Sequence, residues 1–181
     1  MGSLFKEIEF EQPKSFKFTT ENLKKAKKYI GKYPKGKQRS AVMPLLYLAQ
    51  GQHNNWIPTA AMNYIAELLD MPEIQVYEVA NFYTMYNKQP IGEYLIQVCR
   101  TTPCMLRGAK DITKACKKKL DIDLGETTKD GKFTLVEVEC LGACVAAPVV
   151  QINNDYHENL TAESIEDLLD KLSEKKKTSK Y

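Results

Sequence analysis

No stretch of the 181-residue chain approaches the roughly 20 apolar residues of a membrane-spanning helix, so no such span is expected. Phosphate cradles are missing too. Neither G-x-G-x-x-G nor a P-loop occurs, which argues against a Rossmann-type or P-loop nucleotide site on this chain. Histidine is scarce: His53 and His157 are far apart and outside any carboxylate or cysteine motif, so acid–base catalysis has no evident centre. The opening MGSLFKEIEF lacks a basic segment followed by an apolar one, and it is not Arg/Ser-rich. Neither a secretory signal nor a mitochondrial presequence is expected from it.

Charge excludes little and demands little. A net charge of +3 calls for no nucleic-acid partner. The excess sits in residues 1–88, with 12 Lys/Arg against 8 Asp/Glu, while residues 89–181 are near balance at 14 against 15. The stretches LKKAKKYIGKYPKGKQR and SEKKKTSKY read first as solvated faces or a frayed end. Docking on an acidic partner surface is the functional alternative. A hydrophobic fraction of 43% is enough for a real core.

The first half reads as helices. Residues 20–31 carry Leu23, Ala26 and Ile30 at helical spacing, and residues 39–50 carry Val42, Leu45, Leu46 and Ala49 before Gly51. Pro58 precedes TAAMNYIAELLDM, with a face of Ala61, Ile65, Leu68 and Leu69. Pro72 precedes EIQVYEVANFY, with a face of Ile74, Val79 and Phe82. Short connections predict a bundle. The pattern then changes. GEYLIQVC is a strand with apolar residues on both faces, MLRGAKDITKACKKKL a helix, and KFTLVEVEC a second strand. PVVQINN and DYHEN form a hairpin across Asn153–Asp155, and TAESIEDLLDKL is a helix capped by Thr161. The order β-α-β-β-α is that of a thioredoxin-like domain. The expected architecture is α/β, with an N-terminal helical domain over 1–86 and a thioredoxin-like domain over 87–181.

Cysteine is where the sequence is specific. Five cysteines without a signal peptide argue against disulfides, since an odd set of thiols suits a reducing compartment. Cys116 lies on the apolar stripe of its helix with Ile112 and Leu120 and reads as core. The other four form two pairs, Cys99-x4-Cys104 and Cys140-x3-Cys144, each beginning at the C-terminal end of a predicted strand. If those strands are neighbours, both loops open at one sheet edge. A dithiol redox nucleophile wants C-x-x-C, and the x4 gap is too wide. Zinc accepts four thiolates but favours shorter knuckles, and it remains the alternative as a zinc-stabilised interaction module. The wider loops suit a [2Fe–2S] cluster, in which each iron takes two cysteines. Around the ligands, Thr101 and Thr102 can give hydroxyl donors, while Gly142 and Ala143 let peptide N–H groups approach sulfur.

The motif VCRTTPCMLRGA matches V-C-x-T-x-P-C-x-L-R-G. Asp130, Phe133, Thr134, Cys140, Leu141, Gly142, Cys144, Ala147 and Pro148 match D-x2-F-T-x5-C-L-G-x-C-x2-A-P. With YPKGKQRSAVMPLLYLAQ, NNWIPTAAM and VYEVANFYTMY, the chain from about residue 20 to 172 resembles the small thioredoxin-like [2Fe–2S] subunit of NADH:ubiquinone oxidoreductase, respiratory complex I. That resemblance implies one [2Fe–2S] cluster on Cys99, Cys104, Cys140 and Cys144, with no catalytic acid or base on the chain. It implies a flavin- and NADH-binding partner subunit in the peripheral arm that carries FMN and NAD. The cluster is expected near the flavin, to buffer its electrons or to hold the flavin subunit in place. Related subunits serve NAD-reducing hydrogenases and NAD-dependent formate dehydrogenases, which is the alternative context. The expected location is the cytoplasmic face of a bacterial inner membrane through the complex, or the mitochondrial matrix side in a eukaryote.

Overall fold

Among the described residues, helices lie between Thr20 and Phe82, and strands enter only after residue 90. The computed structural model of the protein describes residues 4–175 and divides them into two units. One unit is Ile8–Pro90. The other comprises residues 91–175 together with residues 4–7. Part of the Lys-rich tail, residues 176–181, lies outside the described residues.

In the helical unit, α1 (Thr20–Ile30) starts at Thr19, whose hydroxyl accepts the Asn22 N–H at 3.2 Å. It buries Asn22 and Ala26 and leaves its lysines in water, as an amphipathic stripe requires. The buried Asn22 amide donates to Gln52 Oε1 at 3.0 Å. A 3₁₀ turn (Gln38–Ala41) leads into α2 (Val42–Gln52), which runs through Gly51 instead of stopping there. The turn is made instead by Asn54 and Asn55 at φ 51° and 67°, since Asn tolerates the left-handed region. Helix α3 (Thr59–Leu69) buries Ala61, Met62, Ile65, Ala66 and Leu69 and ends on a left-handed Asp70.

Helix α4 (Glu73–Phe82) departs from the sequence expectation. Its buried stripe is Val76 and Ala80, and of the expected face Val79 is half-buried against the core while Ile74 is 60% and Phe82 78% exposed. Val76 and Ala80 stand four residues apart on one face, about 200° round the helix from Ile74, so only one of the two apolar stripes can face inward. The small pair takes the core side, with Leu45, Leu46, Ile57 and Ile65. His53 closes α2 against Trp56, with ring centroids 4.6 Å apart. Burial pushes its imidazole below the ordinary histidine range, and Nδ1 has no partner among the described residues.

The second unit is a four-stranded sheet in the order β2-β1-β3-β4. Strands β1 (Tyr94–Cys99) and β2 (Phe133–Val138) are parallel, in register from Tyr94↔Phe133 to Cys99↔Val138. Strand β3 (Val150–Ile152) runs antiparallel to β1, and β4 (Asp155–His157) returns beside it across Asn153. Leu95, Ile96, Val98 and Cys99 are all buried, as expected for a central strand covered on both faces. The crossover from β1 to β2 is two helices and not one. Helix α5 (Thr102–Leu106) ends before Gly108, whose φ of 97° breaks the run, and α6 (Ala109–Leu120) follows. The break leaves Met105 43% exposed instead of aligned with the α6 stripe. Helix α6 packs on β1 and β2, and α7 (Ala162–Glu174) packs along α6. Thr161 and Ser164 satisfy each other's N–H groups at the start of α7. Ile96, Ile112, Leu135, Val150, Ile165 and Leu169 form the core.

Candidate functional site

Parallel pairing puts the C-terminal ends of β1 and β2 at one edge of the sheet. Cys99 is the last residue of β1, and Cys140 follows the end of β2 at Val138 by two residues. Cys104 is carried on α5, and Cys144 opens a 3₁₀ turn (Cys144–Ala146). The two cysteine loops therefore start side by side because two strands run in the same direction. All five thiols are free.

The two pairs differ in environment. Cys99 and Cys104 are 2% and 1% exposed, while Cys140 and Cys144 are exposed. Thr101 holds the N-cap position of α5 without capping it; its hydroxyl lies 3.3 Å from Cys99 Sγ. Burial pushes the Cys99 thiol up, but the Thr101 hydroxyl and N–H, the Leu141 N–H and the Cys104 thiol outweigh it. Together they hold Cys99 below the ordinary thiol value. Cys104 goes the other way. Burial and the neighbouring Cys99 push it up, the Val149 N–H opposes them, and Cys144 adds its own upward effect. Cys99, Cys104 and Cys144 are thus electrostatic neighbours. Cys140 stands at the same edge, two residues past the end of β2, and is exposed.

Of the loop residues singled out in the sequence, Thr101 touches a sulfur directly. Thr102 opens α5, Gly142 turns the second loop at φ 77°, and Ala143 leads into the 3₁₀ turn. Besides the Thr101 N–H, the peptide donors that reach sulfur come from Leu141 and Val149. Neither shows in the sequence, because a backbone N–H carries no side-chain signature. The only hint is position: Leu141 follows Cys140, and Val149 begins the segment that pairs with β1, its carbonyl accepting the Cys99 N–H at 3.1 Å. Tyr156 donates to the Leu141 carbonyl at 2.8 Å and ties the second loop to β4.

Cys116 is apart from this edge. It is fully buried on α6, and burial pushes its thiol up to about 12, so it packs as an apolar group. His157 is on the far edge strand β4, and His53 belongs to the helical unit. Among the described residues, no group of three or more His, Cys, Asp or Glu side chains closes on a single ion. The donor set at the sheet edge fits a [2Fe–2S] cluster in its chemistry. It offers four thiols, two of them enclosed, with N–H and O–H donors aimed at the enclosed sulfurs.

Comparison with known proteins gives a consistent picture. The family model described as thioredoxin-like [2Fe-2S] ferredoxin matches residues 26–173. The chain is 56% identical over 158 residues to a subunit of the NADH-quinone oxidoreductase of Rickettsia bellii (strain RML369-C), covering 87% of this chain and 95% of that protein. It is 54% identical over 163 residues to mitochondrial NADH dehydrogenase [ubiquinone] flavoprotein 2 of Dictyostelium discoideum, covering 90% of this chain and 66% of that protein. Among solved structures, the NAD+-reducing [NiFe]-hydrogenase in the H2-reduced state superposes with a TM-score of 0.64. That match has 19% identity and covers 73% of this chain and 22% of the hydrogenase chain, which is a likeness of fold alone.

Proposed function

The chain belongs to the thioredoxin-like [2Fe–2S] ferredoxin family, and from that premise we propose that Cys99, Cys104, Cys140 and Cys144 are the ligands of its cluster. It is an electron-transfer subunit of an NADH–quinone oxidoreductase and carries one [2Fe–2S] cluster. The observation that carries the ligand assignment is the pairing of two cysteine loops at the same end of two parallel strands. The domain division proposed with it is helical over 1–86 and ferredoxin over 87–181, with residues 4–7 packing beside the latter.

When bound, the cluster supplies one-electron transfer, and the protein supplies the environment. The N–H groups of Thr101, Leu141 and Val149 and the Thr101 hydroxyl place positive hydrogens against Cys99 and Cys104. They stabilise negative charge on those sulfurs, and so favour the more reduced state. Enclosure of Cys99 and Cys104 keeps water from one side. Exposure of Cys140 and Cys144 leaves the other side open to a partner.

The partner proposed is the flavin- and NADH-binding subunit, within the peripheral arm of the complex. No helix among the described residues is long and apolar enough to cross a membrane. The location proposed is the cytoplasmic face of a bacterial inner membrane, reached through the complex. Fully exposed Val145 and the 76% exposed Leu106, each close in sequence to a cysteine, supply an apolar rim suited to a protein surface. The double variant Leu106→Glu/Val145→Glu is expected to recover at least tenfold less of the flavin-bearing chain on co-purification, with iron content unchanged. Unchanged recovery, or recovery of a partner without flavin, would count against this partner.

A further inference from the structure

A charged pair stands between the two cysteine loops, and the function above assigns it no role. Arg100 follows Cys99, and Glu139 precedes Cys140. Their side chains form an ion pair. The backbone brings them together first: Arg100 N–H donates to the Val138 carbonyl at 3.0 Å, carrying the β1–β2 ladder one step past its last paired residues. The Glu139 carbonyl in turn faces Cys99 Sγ at 3.6 Å. Each member is thus covalently next to one ligand of a different loop.

We propose that Arg100 and Glu139 are positioning residues, a strap that clasps the two cysteine loops and keeps the charge beside the cluster neutral. The proposal rests on the four-cysteine reading of the site. Closing the pair shortens the free path between the two loops at their base, which resists their separation and the release of iron. Both side chains are more than half exposed, at 56% and 76%, so the mechanical part is worth no more than a surface ion pair. The electrostatic part has a sign. The guanidinium favours the more negative, reduced cluster and the carboxylate disfavours it, so with both present the two effects largely cancel.

The experiment uses the full chain with its cluster and the variants Arg100→Gln, Glu139→Gln and Arg100→Glu/Glu139→Arg. Iron release to a ferrous chelator and the midpoint potential by EPR-monitored titration at low salt are measured on each. Both single variants are expected to release iron about two- to fivefold faster, the range an exposed ion pair can supply, and the swapped pair to return to within about twofold of the parent. The potential is expected to fall in Arg100→Gln, to rise in Glu139→Gln, and to lose both shifts in high salt. A loop that is merely disturbed would move both potentials the same way. Potentials moving together, or single variants that release iron at the parental rate, overturn the strap. A parental chain that holds no iron overturns the cluster reading itself, and the strap falls with it.

Discussion

Cys104→Ser is expected to yield a folded chain that has lost the iron of its cluster, and Cys116→Ser one that keeps it all. The two thiols make a sharp contrast because both are buried in the same core, at 1% and 0% exposure. Cys104 faces Cys99 and Cys144 and receives the Val149 N–H. Cys116 points into the α6 stripe, where burial dominates its environment. A serine oxygen is a poor substitute for a thiolate toward iron, so removing one of four ligands leaves an iron under-coordinated in an otherwise intact fold. Circular dichroism should be parental in both variants. Iron analysis and visible absorbance should fall at least tenfold in Cys104→Ser and hold within experimental error in Cys116→Ser. The reverse pattern would mean that the ligand set is wrong.

Gly92→Ala is expected to destabilise the ferredoxin unit by about 3 kcal/mol, at the upper end of overpacking effects. A Cβ at Gly92 would lie 2.7 Å from the carbonyl carbon of Phe133 and 2.9 Å from the amide nitrogens of Phe133 and Thr134. All three atoms are backbone, so no rotamer change relieves the overlap. The Gly92 N–H also donates to Thr134 Oγ1 at 2.6 Å, a bond that needs this close approach. Relief requires β1 and β2 to part at the end where their register begins, at Tyr94↔Phe133. The same register sets Cys99 beside the start of the second cysteine loop, so the variant should also release iron faster than the parent. Denaturant unfolding reads the first effect and chelator competition the second. A stability change under about 1 kcal/mol would show that the sheet yields here more readily than its geometry indicates.

Local signals carried much of this fold into the sequence. Thr161 caps α7 as its position before an apolar stripe implied, and the β-branched run ending in Cys99 is a central strand. The pairing of the two cysteine loops required one fact that residues alone do not state, namely that β1 and β2 are parallel neighbours. Two readings failed where two patterns competed. Helix α4 has an apolar stripe through Ile74 and Phe82 and another through Val76 and Ala80, and only tertiary packing chooses the smaller. Gly108 divides α5 from α6 within a stretch whose apolar residues keep helical spacing, so the left-handed break is hidden. At the site, the side-chain donor Thr101 could be picked out from the loop. The donors at Leu141 and Val149 could not, since any residue but proline offers the same N–H.

Metal analysis of the isolated chain, joined to its EPR spectrum before and after reduction, tests the central claim most directly. A [2Fe–2S] protein holds two irons per chain and gives a brown solution that is EPR-silent as oxidised. It then gives a signal of one unpaired electron on reduction by dithionite. Colourless protein with one zinc per chain and no signal in either state would contradict the account, and would leave the four cysteines as a structural site.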